Sequence, residues 1–187
     1  MSDSEHIAAV LRGDARAFRH LVDKYKNMSF TLAMTLLRDR EAAEEVVQEA
    51  FIKCYKHLGD FEGRARFSTW LYRIVYNEAL QHRRAHHDRP LPLEEADREV
   101  DEHRMGDSMQ ELRKEEQKRF IARALDRLQA QDSLALRLFY LEEKNLAEMA
   151  AITGLSHTNL KTILHRARKR FYLALEGELH RELKTIL

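Results

Sequence analysis

The stretch that decides the fold of this chain is residues 154–170, GLSHTNLKTILHRARKR. Five of its last ten residues are basic and none is acidic: Lys161, Arg166, Arg168, Lys169 and Arg170. Apolar residues recur between them at helical spacing, namely Leu155, Leu160, Ile163, Leu164 and Ala167. The pattern predicts a helix with one face in a core and another facing phosphate. Because Gly154 stands where a helix-turn-helix needs its turn, the segment points to DNA.

The residues around this helix complete the motif. Asn145 with Glu148 three residues later predicts a capping-box start for the first helix, and Ser156 is the expected cap of the second. A basic helix end can simply complement the helix dipole, but five cations over three turns exceed that need. Side chains early in such a helix reach base edges, and later arginines more often meet phosphate. The predicted outward face consists of His157, Thr158, Lys161, Thr162, His165, Arg166 and Arg168.

Composition favours an all-α fold. The 187 residues are 44% hydrophobic, and six glycines and two prolines leave few turn residues for a multi-stranded sheet. We expect no membrane span, because no apolar run reaches about 18 residues. The early acids and the single cysteine, Cys54, argue against a secretory signal and a disulfide framework, so a cytoplasmic location is expected. A net charge of +1 argues against indiscriminate nucleic-acid binding.

An acidic segment divides the chain. Residues 94–116 hold ten acidic and four basic residues, follow Pro90 and Pro92, and show little apolar periodicity. We therefore predict two small helical domains, residues 1–90 and 113–187, joined by an acidic flexible linker at 91–112. The second domain is expected to contain helices at 113–130 and 133–141 before the helix-turn-helix.

Within the first domain, helices are predicted at residues 4–11 and 15–37, followed by a helix with two distinct sides. One side is an apolar stripe formed by Val47, Phe51, Cys54, Tyr55 and Leu58. The other side carries Glu45, Gln48, Glu49 and Ile52. Such a side is usually a solvated acidic face, and the alternative is a docking face for a basic partner helix with Ile52 as apolar anchor.

Aromatic and arginine residues alternate in the last part of this domain, FEGRARFSTWLYRIVYNEALQHRR at residues 61–84. Ser68 is the expected helix cap. Unpaired bases stack on aromatic rings while cations follow phosphate, so the pattern suits single-stranded nucleic acid. Aromatics at helical spacing are more often core than platform, and we expect Trp70 and Ile74 to be partly structural.

These motifs together resemble the extracytoplasmic-function (ECF) sigma factors of the bacterial sigma-70 family. The resemblance rests on RGDARAFRHLVDKY, VVQEAFIKCYKHL and FSTWLYRIVYNEA in the first domain, and on ALDRL through LKTILHRARKR in the second. It implies a sigma region 2 bundle at 1–90 and a sigma region 4 helix-turn-helix at 113–187. The implied function is to bind core RNA polymerase and direct promoter-specific transcription initiation, in a stress or envelope response and under the control of an anti-sigma factor.

The resemblance also assigns roles to residues. It implies polymerase binding by Glu45, Gln48, Glu49 and Ile52, in place of the solvated face. It implies recognition of the single-stranded minus-ten element by Phe61, Arg64, Arg66, Phe67, Tyr72 and Asn77. Recognition of the double-stranded minus-thirty-five element falls to the outward face of the basic helix. The chain departs from the family pattern at Ile163, where many relatives carry an arginine, and at residues 158–160 and 129–131.

Other candidate sites are weaker. His82, His86 and His87 place imidazoles at metal-ligand spacing, but without further ligands nearby a solvated basic helix end is the favoured interpretation. No metal, cofactor or catalytic role is predicted, because no nucleophile–base pair or phosphate loop is found. A stand-alone helix-turn-helix regulator is the alternative function. The tail at 176–187 could pack on the second domain or bind a regulator, and packing is favoured.

Overall fold

The computed structural model describes residues 2–86 and 114–186, and all regular elements in these ranges are helices. The predicted all-α class is therefore confirmed. The residues that the structure describes form two compact units: residues 2–86 together with 145–155, and residues 114–144 together with 156–186. The predicted linker at 91–112 lies outside the described residues.

The first unit is built on three helices that pack against one another. These are α2 (Ala17–Leu37), α3 (Arg40–Lys56) and α4 (Phe67–His86), preceded by α1 (Asp3–Leu11). Their facing side chains are fully or almost fully buried: Leu21, Leu32, Ala33, Ala43, Cys54, Leu71, Val75 and Ala79. An ion pair between Lys53 Nζ and Glu78 Oε2, 2.6 Å long, also links α3 to α4.

The N-terminal helix is fastened to α2 through one carboxylate. Lys24 Nζ and the Tyr25 hydroxyl donate to Asp3 at 2.6 and 2.5 Å. Partial burial acts to raise the pKa of Asp3, but these two hydrogen bonds outweigh it and lower the pKa below 3.8. Burial, with the bond to Asp3, raises the pKa of Tyr25 to about 12. The Ser2–Glu5 capping box starts α1 one residue before the predicted start.

The start of α4 differs from the prediction. Ser68 is inside the first turn rather than at the cap, because the helix already begins at Phe67. The Arg66 carbonyl accepts the backbone N–H of Thr69 at 2.9 Å, and the Ser68 residue is buried. The Phe67 ring thus enters the core at the first helical position.

A short helix from later in the sequence also belongs to the first unit. This helix, α7 (Leu146–Thr153), packs against α4 and has Met149 and Ile152 buried. Glu148 Oε1 accepts the Thr69 hydroxyl at 3.1 Å and lies 3.7 Å from Arg66 Nε. The compact units thus differ from the predicted domains at residues 145–155, and the predicted boundaries stay a prediction.

The second unit consists of α5 (Lys114–Arg127), α6 (Ala130–Leu136) with a π-helical segment (Arg137–Leu141), and α8 (His157–Ile186). Both α5 and α6 pack against α8. The segment predicted as one helix at 133–141 is thus an α-helix that changes to π geometry.

The second half of α8 packs within this unit. Phe120 and Ala124 of α5 form a small core with Leu175, joined by Phe171, Ala174 and Leu179. Buried Glu178 pairs with Arg127 of α5 and with Arg181. For the tail as far as Leu179, packing is therefore the arrangement found. None of the helices in the described ranges is long and apolar enough to cross a membrane.

Candidate nucleic-acid and polymerase-binding surfaces

The turn before α8 has the predicted local geometry. Asn145 and Glu148 form a reciprocal capping box at the start of α7, and Gly154 ends that helix with a left-handed φ of 74°. The Ser156 hydroxyl then accepts the N–H of Asn159 at 3.2 Å and caps α8. These three features confirm the helix caps and the turn that the sequence predicts here.

The first three turns of α8 separate into a buried side and an exposed side. Leu160, Ile163, Leu164 and Ala167 are each at most 2% exposed, as the spacing predicted. Five of the predicted outward residues are exposed: His157, Thr158, Lys161, Thr162 and His165. Lys161 makes no ion pair with any described residue, so its charge is available to a ligand. This surface of five residues is called the α8 face below.

Arg166 is not directed outward. Its Nε and Nη2 both donate to Asp132 Oδ1, at 3.2 and 2.7 Å, and its side chain is only 19% exposed. Arg170 Nη1 donates to the other oxygen of the same carboxylate at 2.8 Å. The predicted outward orientation of Arg166 is wrong, because a fully buried carboxylate on α6 holds its guanidinium.

Arg168 is half-buried. It lines an apolar groove of about 290 Å³, together with Ile121, Leu125, Leu136, Tyr140, Leu141, Phe171 and Tyr172. Its Nε is buried without a hydrogen-bond acceptor. The predicted outward orientation is thus not found for Arg168 either, because its stem covers the groove wall.

The predicted minus-ten residues separate into a buried and an exposed set. Phe67 is 3% and Tyr72 1% exposed, and Tyr25 of α2 stacks edge-on against Tyr72 at 6.2 Å between ring centroids. A base-stacking role for Phe67 and Tyr72 is therefore contradicted, because both rings are core. Half-buried Phe61 and Trp70 pack against each other and against Phe67.

The exposed members of that set are polar. Arg64 pairs with Glu62 at 2.6 Å, with 84% of the arginine side chain exposed. Arg66 is 69% exposed, with Glu148 as its neighbour, and Asn77 is exposed. Trp70 and Ile74 are half-buried, which agrees with their expected structural share.

The predicted polymerase-binding residues share one exposed side of α3. Glu45, Gln48 and Glu49 are exposed, and Ile52 is 45% exposed. Tyr55, predicted in the apolar stripe, is also 45% exposed and packs edge-on against Phe18 at 5.1 Å. The surface is therefore acidic with an apolar end, and Glu45, Gln48, Glu49 and Ile52 are called the α3 face.

The described residues contain no group of three or more His, Cys, Asp or Glu that could hold a metal ion. His82 and His86 stack at 4.2 Å between ring centroids, and His82 Nε2 lies 3.8 Å from Glu45. His87 lies outside the described residues. Burial raises the pKa of Cys54 to about 12, so this thiol is an inert core group.

Sequence reasoning missed Asp132. It is the single charged residue in the segment QAQDSLAL at residues 129–136. A lone buried acid requires a cation, and that rule could have signalled a partner on a neighbouring helix. The sequence does not identify the partner.

Fold and surfaces together define a class: a helical protein with a helix-turn-helix element in one part of the chain and a helix with an exposed acidic side in another. Residues 21–89 match the family model of Sigma-70 region 2, and residues 119–171 match that of Sigma-70, region 4. The chain is 30% identical to the ECF RNA polymerase sigma-E factor of Escherichia coli K12 over 177 residues, which cover 90% of this chain and 92% of that protein. It belongs to the ECF sigma factors of the sigma-70 family.

Other relatives agree with this placement. The ECF RNA polymerase sigma factor SigW of Bacillus subtilis 168 is 30% identical, with 90% of this chain and 94% of that protein covered. The RNA polymerase sigma-H factor of Pseudomonas aeruginosa is 46% identical over 88 residues, which are 47% of this chain and 46% of that protein. CnrH, solved in complex with the cytosolic domain of CnrY, has a similar fold, with a TM-score of 0.62, 23% identity, and coverage of 94% of this chain and 97% of that chain.

Proposed function

We propose that this sigma factor binds core RNA polymerase through the α3 face and promoter DNA through two separate surfaces, so that it directs promoter-specific initiation in the cytoplasm. The observation that carries the proposal is the coexistence, in one chain, of region 2 and region 4 matches. A stand-alone regulator needs only the second of these. The region 2 match therefore favours the sigma factor over that alternative.

The α3 face suits a basic partner helix. Three polar or acidic side chains and one aliphatic side chain are exposed on successive turns of α3, and none of the four belongs to the buried core. Charge complementarity speeds the encounter and fixes the register, while Ile52 supplies apolar area. We expect the partner to be a helical element of the largest polymerase subunit, as the family resemblance implies.

The two DNA surfaces carry different chemistry. The α8 face has one lysine, two histidines and two threonines at the start of a helix, which suits base edges and phosphates of a duplex. Around α4, Phe61, Arg64, Arg66 and Asn77 suit an opened strand, because arginines follow phosphate and Phe61 is half-exposed. Phe67 and Tyr72 are buried, and the Phe67 ring packs against Phe61.

An anti-sigma factor is proposed as a further partner. Two proteins of similar fold were solved with a protein partner. CnrH was solved with the cytosolic domain of CnrY, and the sigma factor RpoE of Bartonella quintana, at a TM-score of 0.61 and 19% identity, with the anti-sigma factor NepR. Such a partner would compete with polymerase by covering the α3 face.

Charge reversal on the α3 face tests the docking proposal. Glu49→Lys should abolish co-purification with core polymerase, because it presents like charge to a basic partner. Asp23→Lys on α2 is the matched control, since Asp23 is also exposed and pairs only with Arg19 and Lys26 in the described ranges. Equal binding by the two variants would reject the α3 face as the docking surface.

A further inference from the structure

Three positive charges of α8 differ in how they are held. Lys161 is exposed and makes no ion pair with any described residue, whereas Arg166 and Arg170 share the Asp132 carboxylate. The two arginine side chains are 19% and 16% exposed, and the Asp132 side chain is 0% exposed. Gln129 Oε1 also accepts from Arg170 Nη1 at 3.2 Å. Both guanidinium groups are thus held by α6 and its preceding residue.

This arrangement affects how the helix meets DNA. An arginine that contacts phosphate releases counterions and adds non-specific affinity, which carries no sequence information. An arginine that left Asp132 for a phosphate would take its hydrogen bonds from a fully buried carboxylate, which would then keep only the other arginine as an ionic partner. The ion pairs therefore oppose exchange of the arginines from Asp132 to DNA.

We propose that Asp132 is a specificity-determining residue, which holds Arg166 and Arg170 away from phosphate and leaves duplex binding to the exposed α8 face. The proposal rests on the proposed DNA-binding role of α8. By withholding two cations it lowers affinity for arbitrary DNA, while Lys161, Thr162 and His165 remain available to a promoter. Asp132 acts through the arginines and makes no DNA contact itself.

The experiment measures how the affinity of the full chain for a duplex without promoter elements depends on salt, from roughly 50 to 200 mM. Each phosphate contact adds about 0.9 to the slope of log K against log salt. Lys161→Gln should lower the magnitude of the slope by about 0.9, and Arg166→Gln should leave it unchanged. Asp132→Asn should raise it by about 1 to 2 and tighten binding at low salt. Asp132→Asn combined with Arg166→Gln should lose about one unit of that gain.

Asp126→Asn is the matched control. Asp126 also pairs with a largely buried arginine, Arg137, and its removal changes the net charge equally, but neither residue is on α8. Its slope should equal that of the natural chain. Circular dichroism melting establishes that each variant is folded at the assay temperature, and the Arg166→Gln result stands even if Asp132→Asn does not fold.

The outcomes separate the two claims. If Arg166→Gln lowers the slope as much as Lys161→Gln does, the arginine already meets phosphate and the role of Asp132 is overturned. An unchanged or shallower slope in folded Asp132→Asn also overturns it. If Lys161→Gln has no effect while the natural chain binds DNA, the α8 face fails as the duplex-binding surface. If neither the natural chain nor folded Asp132→Asn binds the duplex at low salt, the proposed role of Asp132 is overturned.

Discussion

Truncation of Ile52 to alanine measures how much the apolar end of the α3 face contributes to polymerase binding. Complete burial of an isoleucine side chain contributes about 1.5 to 3 kcal/mol. In the free protein 45% of Ile52 is exposed, so an interface that covers it can gain about 0.7 to 1.4 kcal/mol. Ile52→Ala should therefore weaken core polymerase binding by about three- to tenfold.

The assay is equilibrium titration of fluorescently labelled protein with core polymerase. Leu11→Ala is the matched control, because Leu11 is 55% exposed at the end of α1 and is not one of the four residues of the α3 face. Both variants should unfold within about 0.5 kcal/mol of the natural chain, since exposed side chains contribute little to stability. Unchanged affinity of Ile52→Ala, or an equal loss in Leu11→Ala, would refute the reasoning.

Three further predictions concern the stability and reactivity of the chain. Gly154→Ala should lower the free energy of unfolding by about 1 to 2 kcal/mol, because φ is 74° at this position. Gly177→Ala should raise it by about 0.5 to 1 kcal/mol, because Gly177 lies inside α8. Urea titration measures both changes, and a change of the same sign in the two variants would contradict this reasoning. Glu178→Gln should lower the free energy of unfolding by about 1.5 kcal/mol, since it weakens the pairing of a buried carboxylate with two half-exposed arginines. An equal loss in Glu176→Gln, at an exposed position, would contradict the stabilising role of the Glu178 pairs. Cys54, with a pKa raised from 9.0 to about 12, should resist thiol reagents at pH 8 until the protein unfolds. The protonated thiol contributes stability that is fully present below pH 9 and is lost as the pH rises towards 12. Rapid labelling of Cys54 in the folded protein would contradict its burial.

The sequence predicted the structure best where one helix determines the outcome. The buried positions Leu160, Ile163, Leu164 and Ala167 follow from the helical period alone. The capping box at Asn145 and the left-handed Gly154 follow from local backbone chemistry. These features depend on neighbours in sequence, so no knowledge of the tertiary structure was needed.

The predictions were wrong where the orientation or burial of a side chain is determined by an element distant in sequence. The orientation of Arg166 is set by Asp132, which lies 34 residues away in sequence, and periodicity does not reveal that pair. The sequence pattern makes Tyr72 a candidate for stacking on a base, but its ring packs against Tyr25 of α2 in the core. The grouping of α7 with the first unit depends on its packing against α4, which no local pattern indicates.

The central claim is that this chain directs polymerase to promoters. The most direct test adds the purified protein to core RNA polymerase with a library of genomic DNA fragments and maps the transcript starts. We predict discrete starts that require the protein and that disappear with Glu49→Lys. A folded protein that yields no starts above those of core polymerase alone, on every fragment, would contradict the account.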